Sequence, residues 1–115
     1  LESAAQRHAN WMSQNSVFDH LGENDSTVSD RVNSSGWKFL GENIAYGQTT
    51  EIQVVREWMG SEGHKKNILS KTFTEVGFGI TMAKDGTMYW CAVFGGRRAW
   101  NPNLNLDEEE ETPIR

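Results

Sequence analysis

Two apolar runs toward the C-terminal end of this 115-residue chain constrain its fold more than any other feature. Between Thr74 and Met82 the residues Val76, Phe78, Ile80 and Met82 fall on alternate positions, and Met88 to Phe94 alternates again after Asp85-Gly86. A period of two is that of a strand with one buried face, and Asp-Gly between two such runs marks a tight hairpin. The spacing predicts an antiparallel hairpin at the heart of a small sheet. Upstream of it the period is helical. Leu1, Ala4, Ala5, His8 and Met12 share one face of a first helix that Asn15-Ser16 ends. Val28 and Val32 predict a short helix capped by Asp25 or Ser26 and closed by Gly36. Trp37-Lys38-Phe39-Leu40 reads as an extended segment entering an irregular loop at Gly41-Glu42-Asn43. Thr50 with Gln53 fits a capping box. It opens a helix in which Ile52, Val55 and Met59, flanked by Val54 and Trp58, face inward, ended by Gly60 and Gly63. His64 to Leu69 adds another helical turn. Helices leading into a hairpin, with no βαβ repeat, define the class as α+β.

The charge distribution separates two regions. Net charge is −5, yet Asp107, Glu108, Glu109, Glu110 and Glu111 account for most of it. Residues 1–99 are expected to form one domain, and residues 100–115 a solvated acidic tail that cannot bury apolar surface. With no basic stripe on the domain, nucleic acid is not an expected partner. No apolar run approaches the roughly 18 residues that a membrane span needs, so a soluble chain is expected, and a monomer. Cys91 is the only cysteine, which excludes an intrachain disulfide. Its place between Trp90 and Ala92 in a strand pattern suits a packed, inert thiol. The chain opens directly on helix, without start methionine, signal peptide or N-cap, as expected of a mature product or a fragment.

Seven motifs in order carry a resemblance. They are Ala4-Ala5 with His8-Ala9-Asn10-Trp11-Met12, Phe18-Asp19-His20, Gly41-Glu42-Asn43-Ile44-Ala45, Val54-Val55-Arg56-Glu57-Trp58-Met59, Gly63-His64-Lys65-Lys66-Asn67-Ile68-Leu69, Phe73-Thr74-Glu75-Val76-Gly77-Phe78-Gly79 and Tyr89-Trp90-Cys91-Ala92-Val93-Phe94-Gly95. Through residue 95 or so the chain resembles the CAP superfamily, or SCP domain, in its compact disulfide-free microbial branch. The resemblance implies a three-layer α-β-α sandwich with a surface cleft, in a secreted, extracellular protein. It also implies a tetrad of two histidines and two acids in that cleft. His20 matches the first histidine, Glu42 the acid of Gly-Glu-Asn, and His64 the second histidine. A Ser-x-Gly-His run stands where the second acid is expected, leaving Glu62 as the candidate substitute. Family members usually carry one more helix in front, with an Asn-x-x-Arg pattern; the sequence opens after the place of that helix, as expected of a trimmed chain.

His20, His64 and Glu42 together offer two imidazole nitrogens and a carboxylate, a set suited to Zn²⁺ or another divalent cation with a coordination position open. Without metal, Glu42 beside an imidazole favours its protonated form and fixes its tautomer. Ser61 near His64 is too common a juxtaposition to mark a nucleophile. His8 lies on the inward stripe and reads as a core or supporting histidine. Trp11, Trp37, Trp58 and Trp90 read as core aromatics and Lys65-Lys66 as a solvated pair. Asn24 and Asn33 begin N-glycosylation sequons, meaningful in a secreted eukaryotic protein alone. The favoured function is a secreted binding module whose cleft holds a divalent metal or a small apolar molecule such as a lipid or sterol. The alternatives are a metal-assisted, peptidase-like hydrolase using His20, Glu42 and His64, and a structural or interaction domain with a vestigial cleft, whose acidic tail recruits a basic protein partner.

Overall fold

In the computed structural model residues 1–33 and 36–98 are described. The acidic tail, the boundary at residue 99 and Ser34-Ser35 of the second sequon lie outside these residues. The hairpin forms as its alternation predicts, from β2 (Glu75–Met82) and β3 (Met88–Gly96). A third strand, β1 (Phe39–Tyr46), pairs antiparallel with β3, so the strand order is β1-β3-β2 and β3 is central. Central position explains why β3 is buried along nearly its whole length.

The period of two in β3 distributes its side chains between two helical layers. Tyr89, Cys91 and Val93 meet Ala5, Ala9 and Met12 of α1 (Glu2–Asn15) and Ile44 of β1. Trp90, Ala92 and Phe94 meet Val54 and Trp58 of α3 (Glu51–Met59), with Ile68 of α4 (Glu62–Leu69) beside them. The short α2 (Val28–Val32) joins the α1 layer through Val28 and Val32. The result is the expected α-β-α sandwich of class α+β. Cys91 is buried as expected, and burial, reinforced by the neighbouring Glu42 carboxylate, pushes its thiol up and keeps it inert.

Several local expectations change. The cap of α2 is Thr27, whose hydroxyl accepts from the Asp30 amide while the Asp30 carboxylate accepts from the Thr27 amide, and Asn33 in left-handed backbone closes the helix in place of Gly36. Gly41-Glu42-Asn43 is strand, not loop. Its residues pair in register with β3, Glu42 opposite Val93 and Asn43 opposite Ala92. At α3, Thr50 caps the Gln53 amide as predicted, but the Gln53 side chain reaches Thr49 rather than Thr50. Val54 and Trp58 form the inward face of α3, while Ile52 and Val55 stay exposed.

The largest departure concerns β2. Its apolar alternate residues do not enter the core: Phe78 is 58% and Met82 65% exposed, with Val76 and Ile80 also exposed. The buried face is the glycine face, where α1 crosses so close that a Cβ on Gly79 would stand 2.5 Å from the backbone of Ala5 and Gln6. Small residues let helix and strand approach, and the bulky ones are left on the α3 side, which α3 covers only in part. Between them runs an apolar groove of about 290 Å³, walled by Val54, Val55 and Trp58 on one side and Phe78 and Ile80 on the other. No helix among the described residues is long and apolar enough to cross a membrane.

Candidate functional site

The candidate site lies where the two helical layers meet the outer edge of β1. Successive residues of a strand face opposite sides, so Glu42 points into the α1–α2 layer and Asn43 into the α4 layer. Asn43 is fully buried and donates to the His64 carbonyl at 3.1 Å, while its own side-chain oxygen accepts from Asn67 at 2.9 Å. Those two bonds attach α4, and with it His64, to the strand that carries Glu42.

His20 arrives from the loop after α1. Left-handed backbone at Ser16 ends the helix, and the Asp19 carboxylate accepts from the Leu21 amide at 3.0 Å, closing a tight turn around His20. Beneath the turn His8 is fully buried and hydrogen-bonds the Asp19 carbonyl through Nε2 at 2.6 Å. A carbonyl only accepts, so Nε2 carries the proton. Burial holds the His8 pKa below 6.5, which keeps the ring neutral. The supporting role expected of His8 matches this position.

Glu42 is the centre of the site, with its side chain 3% exposed. One oxygen, Oε1, accepts from His20 Nδ1 at 2.8 Å; the other, Oε2, accepts from Arg31 Nη2 at 2.7 Å, with the Cys91 thiol 3.5 Å away. Burial alone would raise the Glu42 pKa, but the His20 hydrogen bond and the Arg31 charge outweigh it and hold the carboxyl below its usual range. The same hydrogen bond raises the His20 pKa above 6.5. His20 is therefore fixed as an Nδ1–H donor, with the outer edge of its ring open to solvent. Arg31 escaped the sequence reading. A charged residue in a five-residue helix looks solvated, and nothing local announces a partner eleven positions away.

His64 presents itself similarly. Its Nδ1 is hydrogen-bonded to Ser61 Oγ at 3.0 Å. Ser61 occupies the N-cap of α4 yet makes no side-chain cap, because its hydroxyl is directed to the imidazole three residues on. Burial first, and the nearby His20 charge second, lower the His64 pKa below 6.5. Neither histidine has a hydrogen-bond partner at Nε2 among the described residues. The candidate substitute acid does not join them: Glu62 is exposed and lines a shallow surface depression with Lys65, Lys66 and Leu69.

For a divalent cation the fit is selective. Both Glu42 oxygens are engaged, and no group of three or more His, Cys, Asp or Glu side chains among the described residues is placed to share an ion. Nε2 of His20 and Nε2 of His64 are left without a hydrogen-bond partner among the described residues, while Glu42 fixes the His20 ring through Nδ1, a carboxylate–histidine pairing of the kind also found behind metal-binding imidazoles.

A three-layer sandwich with one histidine from the loop after the first helix and another from α4, flanking a buried glutamate of the edge strand, defines an SCP-type domain. The profile of the cysteine-rich secretory protein (CAP) family matches residues 1–94, and the chain belongs to that family. It is 42% identical over 99 residues to the YkwD protein of Bacillus subtilis, covering 84% of this chain and 37% of that protein. To the membrane protein YlbC of the same organism it is 33% identical over 75 residues, covering 64% of this chain and 22% of that protein. The chain thus spans well under half the length of these relatives. An extracellular SCP-domain protein from Bacillus anthracis superimposes with a TM-score of 0.72 at 30% identity, covering 83% of this chain and 31% of that one. An outer surface protein of Borrelia burgdorferi shares the fold at 19% identity, with a TM-score of 0.70 over 83% of this chain and 74% of that one.

Proposed function

We propose that this domain is a binding module of a secreted protein and that its cleft takes a divalent cation such as Zn²⁺ on Nε2 of His20 and Nε2 of His64. The observation that carries this reading is the tethering of both rings through Nδ1, to Glu42 and to Ser61. Each ring is thereby oriented and keeps one nitrogen free. Two protein nitrogens make a weak, exchangeable site in which solvent or a second ligand supplies the remaining donors. A bound cation would supply Lewis acidity to such a ligand. The chain's own contribution is to hold the two rings by their Nδ1 atoms. Secretion is in keeping with the extracellular and outer-surface descriptions of the structural neighbours.

The test is a thermal melt in EDTA and in added Zn²⁺, on the parent and on His20→Ala/His64→Ala. Occupancy at about a hundred times the dissociation constant adds about 2.7 kcal/mol, a visible rise in midpoint. The rise is expected in the parent alone. An equal rise in both chains, or none in the parent, overturns the reading.

The groove between α3 and β2 favours a second ligand class, a small apolar molecule such as a lipid chain. Its walls are Val54, Val55, Trp58, Phe78 and Ile80, and pockets of this kind take apolar ligands chiefly by burial. A fluorescent fatty-acid probe should bind the parent and lose affinity in Phe78→Ser; equal binding by the two chains removes the groove from consideration.

A further inference from the structure

We propose that Arg31 is the positioning residue of the cleft: by taking one oxygen of Glu42 and tying it to α2, it leaves the other oxygen to hold His20 with its free nitrogen outward. This rests on the reading of His20 as a cleft donor and adds the residue that sets its orientation.

The guanidinium is held at both ends. Nη2 donates to Glu42 Oε2 at 2.7 Å, and Nη1 donates to the Ser26 carbonyl at 2.7 Å, with Ser26 Oγ at 3.4 Å. The side chain is 4% exposed, so its position is set by these partners and not by solvent. The helix that carries it is one turn and a half long and would not persist alone. The reciprocal Thr27–Asp30 cap and the left-handed Asn33 define its two ends, so the short element serves to present one cation inward. A carboxylate with both oxygens free can rotate about its last bond and offer either to an imidazole. With Oε2 committed to a planar, immobile donor, only Oε1 faces the His20 loop, and the ring must meet it through Nδ1. The other groups near this carboxylate are Cys91 from β3 and His8 from α1, and neither ties it to a second element as Arg31 does.

The experiment uses the whole chain without metal and follows ring N–H protons by NMR at one pH. In the parent the His20 Nδ1 proton should give a discrete signal and long-range correlations of a single ring state. Two indole protons on the opposite layer report the fold, since Trp58 donates to the Ile44 carbonyl and Trp90 to the Gln48 carbonyl. In Arg31→Met the His20 signal should vanish or broaden while both indole signals stay, and Arg31→Lys should restore it in part. If the His20 signal persists unchanged in Arg31→Met beside native indole signals, the proposal is overturned. Should Arg31→Met lose the indole signals as well, Arg31→Gln is read by the same two criteria, with the same outcomes. The zinc melts report separately on the cleft. A chain that ignores zinc but loses the His20 signal in Arg31→Met upholds the positioning role and removes the metal, and the reverse result removes Arg31 and keeps the metal.

Discussion

The side-chain amide of Gln6 binds both backbone groups of Ile80: its nitrogen donates to the carbonyl at 2.9 Å and its oxygen accepts from the amide at 3.3 Å. Ile80 lies on an outer strand of the sheet, where free backbone groups would otherwise template the addition of another strand. Gln6 fills the place of a neighbouring strand residue, and Thr81 and Asn10 complete the network around it. The opposite edge is treated likewise, with the Glu42 carbonyl accepting from Asn67 and the Ile44 carbonyl from Trp58.

Gln6→Ala should therefore do two things. Losing two backbone contacts at a partly exposed site should cost about 1–2 kcal/mol, measured by urea unfolding. It should also free the edge of a strand whose Phe78 and Met82 are already exposed, so that the variant self-associates at concentrations where the parent does not, as seen by light scattering. A variant as monodisperse as the parent would show that the edge is protected by something other than Gln6.

The Arg31–Glu42 pair sets a second expectation. Removing one member strands the other charge in the interior, at a cost of about 3–5 kcal/mol, whereas removing both leaves no charge unmatched. Glu42→Ala should thus be far less stable than the parent. Arg31→Met/Glu42→Leu should recover a large part of the loss while abolishing the His20 contact. Chemical denaturation of the three chains decides it, and a Glu42→Ala chain within about 1 kcal/mol of the parent would mean that the pair is not buried in solution.

Acid should weaken the fold in two stages. His8 and His64 have folded pKa values below 6.5, so an unfolded chain takes up protons first as pH falls; the stability they contribute is present above 6.5 and lost as pH drops through their folded values. Glu42 has the same sign lower down, with stability present above 4.5 and lost as pH falls through its depressed folded value. His20 runs the other way: its contribution is complete below 6.5 and is lost as pH rises through its raised folded value. As pH falls from that raised value toward 6.5, His20 therefore adds stability. His20→Asn should lack this gain in midpoint temperature, so that the two chains diverge above pH 6.5 and keep a constant His20 difference below it. Parallel melting curves in the two chains above pH 6.5 would contradict the assignment.

Much of this architecture is legible in local pattern, because α1, α3 and the hairpin each carry their own period. What escapes is set by tertiary partners. Glu42 and Asn43 read as loop because two adjacent polar residues break strand alternation, yet both are buried and each faces a different layer. Only the pairing with β3 makes them strand. The alternation of β2 predicts the correct element and the wrong face, since period two does not say which side a helix will cover. The histidines and Glu42 are visible through motif, and the structure sorts them into two outward nitrogens and one orienting carboxylate. Arg31 and Ser61, which impose that sorting, carry no signal beyond ordinary polar residues near helix ends.

The glycine face of β2 supplies the sharpest packing test. Gly79 stands where a Cβ would be 2.5 Å from the backbone of α1, and backbone cannot yield as a flexible side-chain tip does. Gly79→Ala must therefore push α1 off the sheet, loosening the contacts of Ala5 and Ala9 with Cys91 and Val93 and the Gln6 clamp together. The expected loss is about 3 kcal/mol, at the upper end for an overpacked core. Gly63→Ala is the matched control. It lies within α4 with nothing within 4 Å of its added Cβ, so the same substitution there should stabilise by about 0.5–1 kcal/mol through helix propensity alone. Opposite signs for the two changes in one unfolding series would establish that α1 sits directly on β2. A mild effect at Gly79 would place α1 farther from the sheet and leave Val76, Phe78, Ile80 and Met82 free to turn inward.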